Sequence, residues 1–102
     1  MDIQTRVDDR TLTASFRGEL DHHAAKDTVT ALERALDAAL PRRLRLDFGG
    51  VTFMDSSGIA VVMRAFRRMT ALGGSMELVN VPPQAKKVFD AAGISSRVTM
   101  EG

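Results

Sequence analysis

Four small polar residues, Asp55-Ser56-Ser57-Gly58, sit between two apolar runs in the stretch FMDSSGIAV at positions 53–61. Such a junction can cap a helix, because Asp55 or Ser56 can accept a backbone N–H bond from the first turn. One cap needs one polar side chain, and three are present; no Glu or Gln follows three residues later to complete a capping box. The junction can also carry a switch. A helix N-terminus offers free N–H groups and about half a positive charge. A phosphate on Ser57 would then be tolerated by the fold while presenting roughly −1.5 to −2 charges to a partner. Gly58 costs about 1 kcal/mol relative to alanine in a first helical turn, which suits a place where a phosphate or a protein surface must approach the backbone. On spacing alone the plain cap is the more economical reading, and the switch stays open beside it.

Nucleophilic chemistry fits poorly. A hydrolase elbow also places a serine between strand and helix, but in a G-x-S-x-G frame and with its histidine last in the chain; here Met54 opens the motif and the only histidines, His22 and His23, lie upstream. Metal binding needs three or four convergent ligands. Adjacent His22 and His23 point in different directions, and the sequence has no cysteine. A capping or partner-contact role at the start of the first helix suits them better. The basic residues Arg64, Arg67 and Arg68 form either a solvated helix face or an attraction for an acidic partner, and sequence does not decide between them.

Positioning this junction requires strands and helices in alternation. Ile3, Thr5 and Val7, then Leu12, Ala14 and Phe16, alternate about a polar turn at Asp8-Asp9-Arg10, which predicts a β-hairpin. Gly18 to Asp21 breaks that pattern. From about Ala24 the period lengthens, with Val29, Leu32, Leu36 and Ala39 or Leu40 on one helical face, stopped by Pro41. Arg43 to Phe48 reads as a third strand and Gly49-Gly50 as a loop, after which Val51, Phe53 and Met54 return to the core. A helix from about Ser57 to Leu72 should bury Ile59, Val62, Met63, Phe66 and Met69, ending at Gly73-Gly74. Ser75 to Val81 reads as a fourth strand, Gln84 to Ala92 as a short helix closed by Gly93, and Arg97 to Met100 as a final short strand. The order β-β-α-β-α-β-α-(β) implies parallel neighbours joined by crossovers. Alternation within the strands predicts helices mainly on one sheet face.

Composition bounds the rest. A chain of 102 residues is one domain of ordinary size. No apolar stretch approaches the roughly 20 residues of a membrane span, and the N-terminus has no apolar signal region, so a cytoplasmic protein without membrane contact is expected. The net charge of +1 and the absence of Trp and Tyr argue against a nucleic-acid binder. Charge is unevenly spread: residues 1–40 hold five basic and eight acidic groups, residues 41–102 nine and five. A polarised surface of that kind suits a protein partner. A self-sufficient core without ligand clusters predicts a monomer needing neither metal nor cofactor.

Two segments add a resemblance. RGELDHHAA (17–25) and FMDSSGIAVV (53–62) resemble the anti-sigma factor antagonists, the bacterial branch of the STAS domain family, and GELDHH is most similar to the sporulation type acting on sigma F. GGSMELVNVPPQAKKVFDAAGI (73–94) is similar to the same family. The resemblance implies the STAS fold, an α/β fold with a mixed four- to five-stranded sheet, an antiparallel N-terminal hairpin and helices mainly on one face. It also implies a further C-terminal helix that the sequence up to Gly102 does not contain. In function it implies a non-enzymatic regulator. The unphosphorylated form binds an anti-sigma factor that is also a serine kinase and frees the sigma factor. The kinase spends ATP to phosphorylate the second serine of the motif, here Ser57, and a serine phosphatase reverses this. Partner contacts would come from Glu19, Asp21, His22 and His23 on one loop and Asp55, Ser56, Gly58 and Ile59 on the other, with Asp21 pairing a basic kinase residue. The alternative within the family is an antagonist for a general stress-type sigma factor.

Overall fold

The computed structural model describes residues 1–102. Strands β1 (Asp2–Asp8) and β2 (Thr11–Leu20) form the expected hairpin. Its turn residues Asp9 and Arg10 both take positive φ, 47° and 64°, the backbone twist that a two-residue hairpin connection requires. Helix α1 (His22–Ala39), strand β3 (Arg43–Met54), helix α2 (Ser57–Ala71), strand β4 (Ser75–Val79), helix α3 (Pro83–Ala91), a 3-10 turn (Ile94–Ser96) and strand β5 (Thr99–Met100) follow. The sheet order is β1-β2-β3-β4-β5, antiparallel only at the hairpin. Parallel crossovers are right-handed, and each one here advances a single strand in the same direction. The three helices therefore fall on one face.

The strands show the matching alternation. Leu12, Ala14, Phe16, Leu44, Leu46, Phe48 and Leu78 are buried on the helix side. There Phe48 stacks against Phe16 and Phe89, with ring centroids 5.2 and 5.3 Å apart. Cross-strand neighbours Thr13, Arg45 and Glu77 line the open face. Glu77 pairs there with Arg43 and, at 3.4 Å, with Arg45.

Several expectations need correction. Gly49-Gly50 is not a loop: β3 runs through it, carrying one residue more than β2 at each of two register shifts, opposite Ser15–Arg17 and opposite Gly18–Glu19. A Cβ on Gly50 would lie 2.7 Å from the Phe16 carbonyl oxygen, so glycine is needed where β2 crowds the strand. The segment Gly18–Leu20 likewise stays in β2. Phe53 is 45% exposed rather than a core residue. Leu40 is outside the core as well, at the left-handed C-cap of α1. On α2 the buried residues are Gly58, Val61, Val62, Ala65 and Met69, with Ile59, Met63 and Phe66 only partly covered. The helix is rotated so that its small residues face the sheet. Helix α1 begins at His22, two residues before the expected start, and β4 ends at Val79, two residues short of Val81.

The basic face of α2 finds partners within the chain. Arg64 bonds both carboxylate oxygens of Glu33 at 3.2 Å, and Arg68 pairs with Asp37 and Glu33 on α1.

Candidate functional site

Because β2 and β3 are parallel, their C-terminal ends lie side by side, with Leu20 opposite Met54. The two loops singled out from the sequence leave the sheet at this edge. One leads into α1 through Asp21, His22 and His23; the other leads into α2 through Asp55, Ser56 and Ser57. They are joined directly. The Asp55 N–H donates to the Leu20 carbonyl at 3.3 Å. The Asp55 carboxylate accepts from the Ser57 N–H at 2.8 Å through Oδ1 and from the His22 N–H at 3.0 Å through Oδ2.

This carboxylate therefore ties the start of both helices together. Its pKa is held below the usual carboxylate value. The main cause is the Ser57 N–H bond, with smaller lowering contributions from the Ser57 hydroxyl, the His22 N–H and the His22 charge; partial desolvation opposes them. Ser56 is at the N-cap position but makes no side-chain cap bond. Of the two candidate caps, Asp55 is the one used, reaching two residues forward. The other first-turn donors are also engaged: Gly58 N–H to the Asp55 carbonyl and Ile59 N–H to the Ser56 carbonyl, both at 3.1 Å. The expectation that free N–H groups await a phosphate is thus corrected, leaving the helix dipole as the local source of positive potential.

Gly58 is explained differently from the expectation too. What crowds its backbone is neither a ligand nor a partner but Met54, whose fully buried side chain fills the place of a Cβ; the Met54 Cγ would be 2.6 Å from it.

Asp21 has a structural duty. It is the N-cap of α1, its Oδ1 accepting from the Ala24 N–H at 3.1 Å. Glu19, Asp21, His23 and Asp27 border a concavity of about 550 Å³ with Met1, Gly18 and Thr52. His22 and His23 are exposed and meet edge to face, with centroids 5.5 Å apart. No group of three or more His, Asp or Glu side chains converges as a metal cluster would, and no helix is long and apolar enough to cross a membrane. On the opposite side of α2, Ser56 and Ile59 border a mostly apolar groove of about 500 Å³ completed by Gln84, Lys87, Val88, Ala91 and Ala92 of α3 and its C-cap. Ser57 itself is half-buried and lines neither depression.

One contributor was invisible in the sequence. The Gln84 side chain bonds both backbone polar groups of Met54: Oε1 accepts from its N–H at 2.8 Å and Nε2 donates to its carbonyl at 2.7 Å. Nothing about a glutamine after two prolines signals a contact thirty residues away.

A sheet with one antiparallel edge, helices on one face and a serine at the strand-to-helix junction define a class of regulatory α/β domain. The model of that class, the STAS domain, matches residues 2–101, and the chain belongs to the STAS domain family. The anti-sigma F factor antagonist of Lysinibacillus sphaericus is 32% identical over 84 residues, covering 82% of this chain and 72% of the relative. The anti-sigma factor antagonist SpoIIAA in its unphosphorylated form superposes with a TM-score of 0.83, at 29% identity, over 97% of this chain and 87% of that one. The phosphorylated form of SpoIIAA from Bacillus, also 29% identical, gives 0.74 over 97% and 90%.

Proposed function

We propose that this chain is an anti-sigma factor antagonist switched by phosphorylation of Ser57. The observation that carries the reading is the position of Ser57. It is the first residue of α2, half-buried, at the sheet edge where its N–H is held by the Asp55 carboxylate that also binds the start of α1. Similarity to antagonists known in both phosphorylation states supports it.

In this reading the unphosphorylated chain, a cytoplasmic monomer when free, docks this edge on an anti-sigma factor that is also a serine kinase. Glu19, His22, His23, Ser56, Ile59 and the charge of Asp21 face that partner, and the sigma factor is released. The Ser57 oxygen then attacks the γ-phosphorus of the kinase's ATP. The O–P bond forms, ADP leaves with the broken bond, and the hydroxyl proton passes to a base of the kinase. Asp55 holds the Ser57 backbone N–H and so fixes the residue that carries the hydroxyl. The new dianion must be desolvated against a surface fitted to a hydroxyl, and complex formation fails. A serine phosphatase resets the cycle. This chain supplies no catalytic group.

Phosphopeptide mapping after incubation with ATP and an anti-sigma factor serine kinase from the same genome tests the reading. Phosphate on Ser57 in the parent and in Ser56→Ala, with none in Ser57→Ala, is the expected result. Ser57→Asp should fold normally and lose the complex. Label on Ser56 alone overturns the site assignment; label on neither serine overturns the switch.

A further inference from the structure

We infer that Gln84 of α3 is a positioning residue for the Ser57 hydroxyl, so that α3 tunes how readily the switch is phosphorylated. The inference rests on the reading of Ser57 as phosphoacceptor.

Strand β3 outruns its neighbour. Its last partner on β4 is Asp47 opposite Val79, while β3 continues to Met54. In a parallel ladder the N–H and C=O of one residue point to the same side, and the next residue's to the other. The Asp55 N–H is taken on the β2 side, by the Leu20 carbonyl. The Met54 N–H and C=O face the other side, where β4 has ended. The Gln84 amide meets them there with one acceptor and one donor, at 2.8 and 2.7 Å. A primary amide presents the same donor–acceptor pair as a peptide group, and Gln84 thus replaces the absent strand residue.

The consequence passes through Met54 to the switch. Met54 is fully buried, and its side chain fills the space against the Gly58 backbone. The Met54 carbonyl that Gln84 binds belongs to the peptide leading into Asp55, whose carboxylate holds the Ser57 N–H. Moving Met54 moves the first turn of α2 and Ser57 with it. On the β2 side the loop has two bonds, Asp55 N–H to the Leu20 carbonyl and His22 N–H to the Asp55 carboxylate; on the α3 side the side-chain hold is Gln84. Gln84 also borders the groove shared with Ser56 and Ile59, so an occupant of that groove would act on the same hold.

Phosphoryl transfer depends on hydroxyl placement, and a displacement of about 1 Å can cost up to about a hundredfold in rate. Two variants separate hydrogen bonding from packing: Gln84→Ala removes both, while Gln84→Met keeps the length and apolar contact of the side chain. In both, amide hydrogen exchange at Met54 and Ser57 should quicken by about tenfold or more. The kcat for Ser57 phosphorylation by the same anti-sigma factor serine kinase should fall about tenfold with KM unchanged. A residue that served only overall stability would move the melting temperature and leave this split untouched. Unchanged exchange at Met54 and Ser57, or parental kcat in Gln84→Met, overturns the proposal. If the parent chain takes no phosphate on Ser57, the functional reading falls instead, and the exchange data alone decide whether Gln84 positions that residue.

Discussion

The Asp55 carboxylate accepts the backbone N–H of His22, 3.0 Å away and thirty-three residues earlier in the chain. Its other oxygen holds Ser57. A single acid thereby spans the two loops that leave the sheet edge.

That bridge gives a pH dependence with a definite sign. The folded pKa of Asp55 is depressed, so its contribution is present above the unfolded value of about 3.9 and is lost as pH falls through the folded value. Between about pH 4 and pH 2 the parent should lose stability more steeply than Asp55→Asn, whose side chain does not titrate. Urea unfolding at a series of pH values checks this, and parallel curves would show that the bridge adds no acid sensitivity. Phosphate on Ser57 places a like charge beside the same carboxylate and should raise its pKa, which the side-chain carbon shifts of Asp55 will report.

Asp21 caps α1, and the proposed contact of its charge with the partner can be separated from that duty. Asp21→Ala removes the cap of α1 and should cost about 1 kcal/mol. Asp21→Ser keeps a capping oxygen without the charge, so its stability should remain near that of the parent. If the kinase complex weakens equally in both variants, the charge itself meets the partner. If only Asp21→Ala weakens it, the cap accounts for the whole effect.

Gly58→Ala pits propensity against space. Alanine gains roughly 1 kcal/mol in helix propensity, but its Cβ would collide with the buried Met54 side chain, and overpacking of that kind costs about 1–3 kcal/mol. Thermal unfolding should show neutral to lower stability, with amide shifts concentrated at Met54 and Ser57. A clear gain in melting temperature would mean that Met54 moves aside freely.

Core truncations should rank by burial. Phe48 is fully buried between Phe16 and Phe89, and Phe48→Ala should cost about 3–5 kcal/mol. Phe66 is only partly covered, and Phe66→Ala should cost distinctly less. Equal losses in urea titrations would contradict the observed rotation of α2.

Periodicity exposed most of the frame, because strands half-covered by helices must alternate and the alternation survives in Leu12-Ala14-Phe16 and Leu44-Leu46-Phe48. It failed where glycine or alanine does the packing. The face of α2 was read from its bulky residues, yet Gly58 and Ala65 sit against the sheet, since close approach favours small side chains that carry little hydrophobic signal. Gly49-Gly50 looked like a loop because local propensity is blind to a neighbouring strand pressing from one side. At the site, Asp55, Ser56 and Ser57 were visible as a cluster. The partners that fix their geometry, the His22 N–H and the Gln84 amide, are brought together only by the parallel topology.

That topology also decides where the molecule can be handled. β1 runs antiparallel to β2, which returns Met1 to the neighbourhood of Gly18 and Glu19. β5 runs parallel to β4, and Glu101 bonds Leu78 and Val81 at the same end of the sheet. Both termini thus emerge on the edge that carries Ser57, and an affinity tag or fluorescent fusion at either one crowds the surface it is meant to report on. The opposite edge holds the Asp9-Arg10 hairpin turn and the Gly73 bend, whose φ of 72° favours glycine. Surface immobilisation or dye attachment through the hairpin turn leaves the serine edge facing solution.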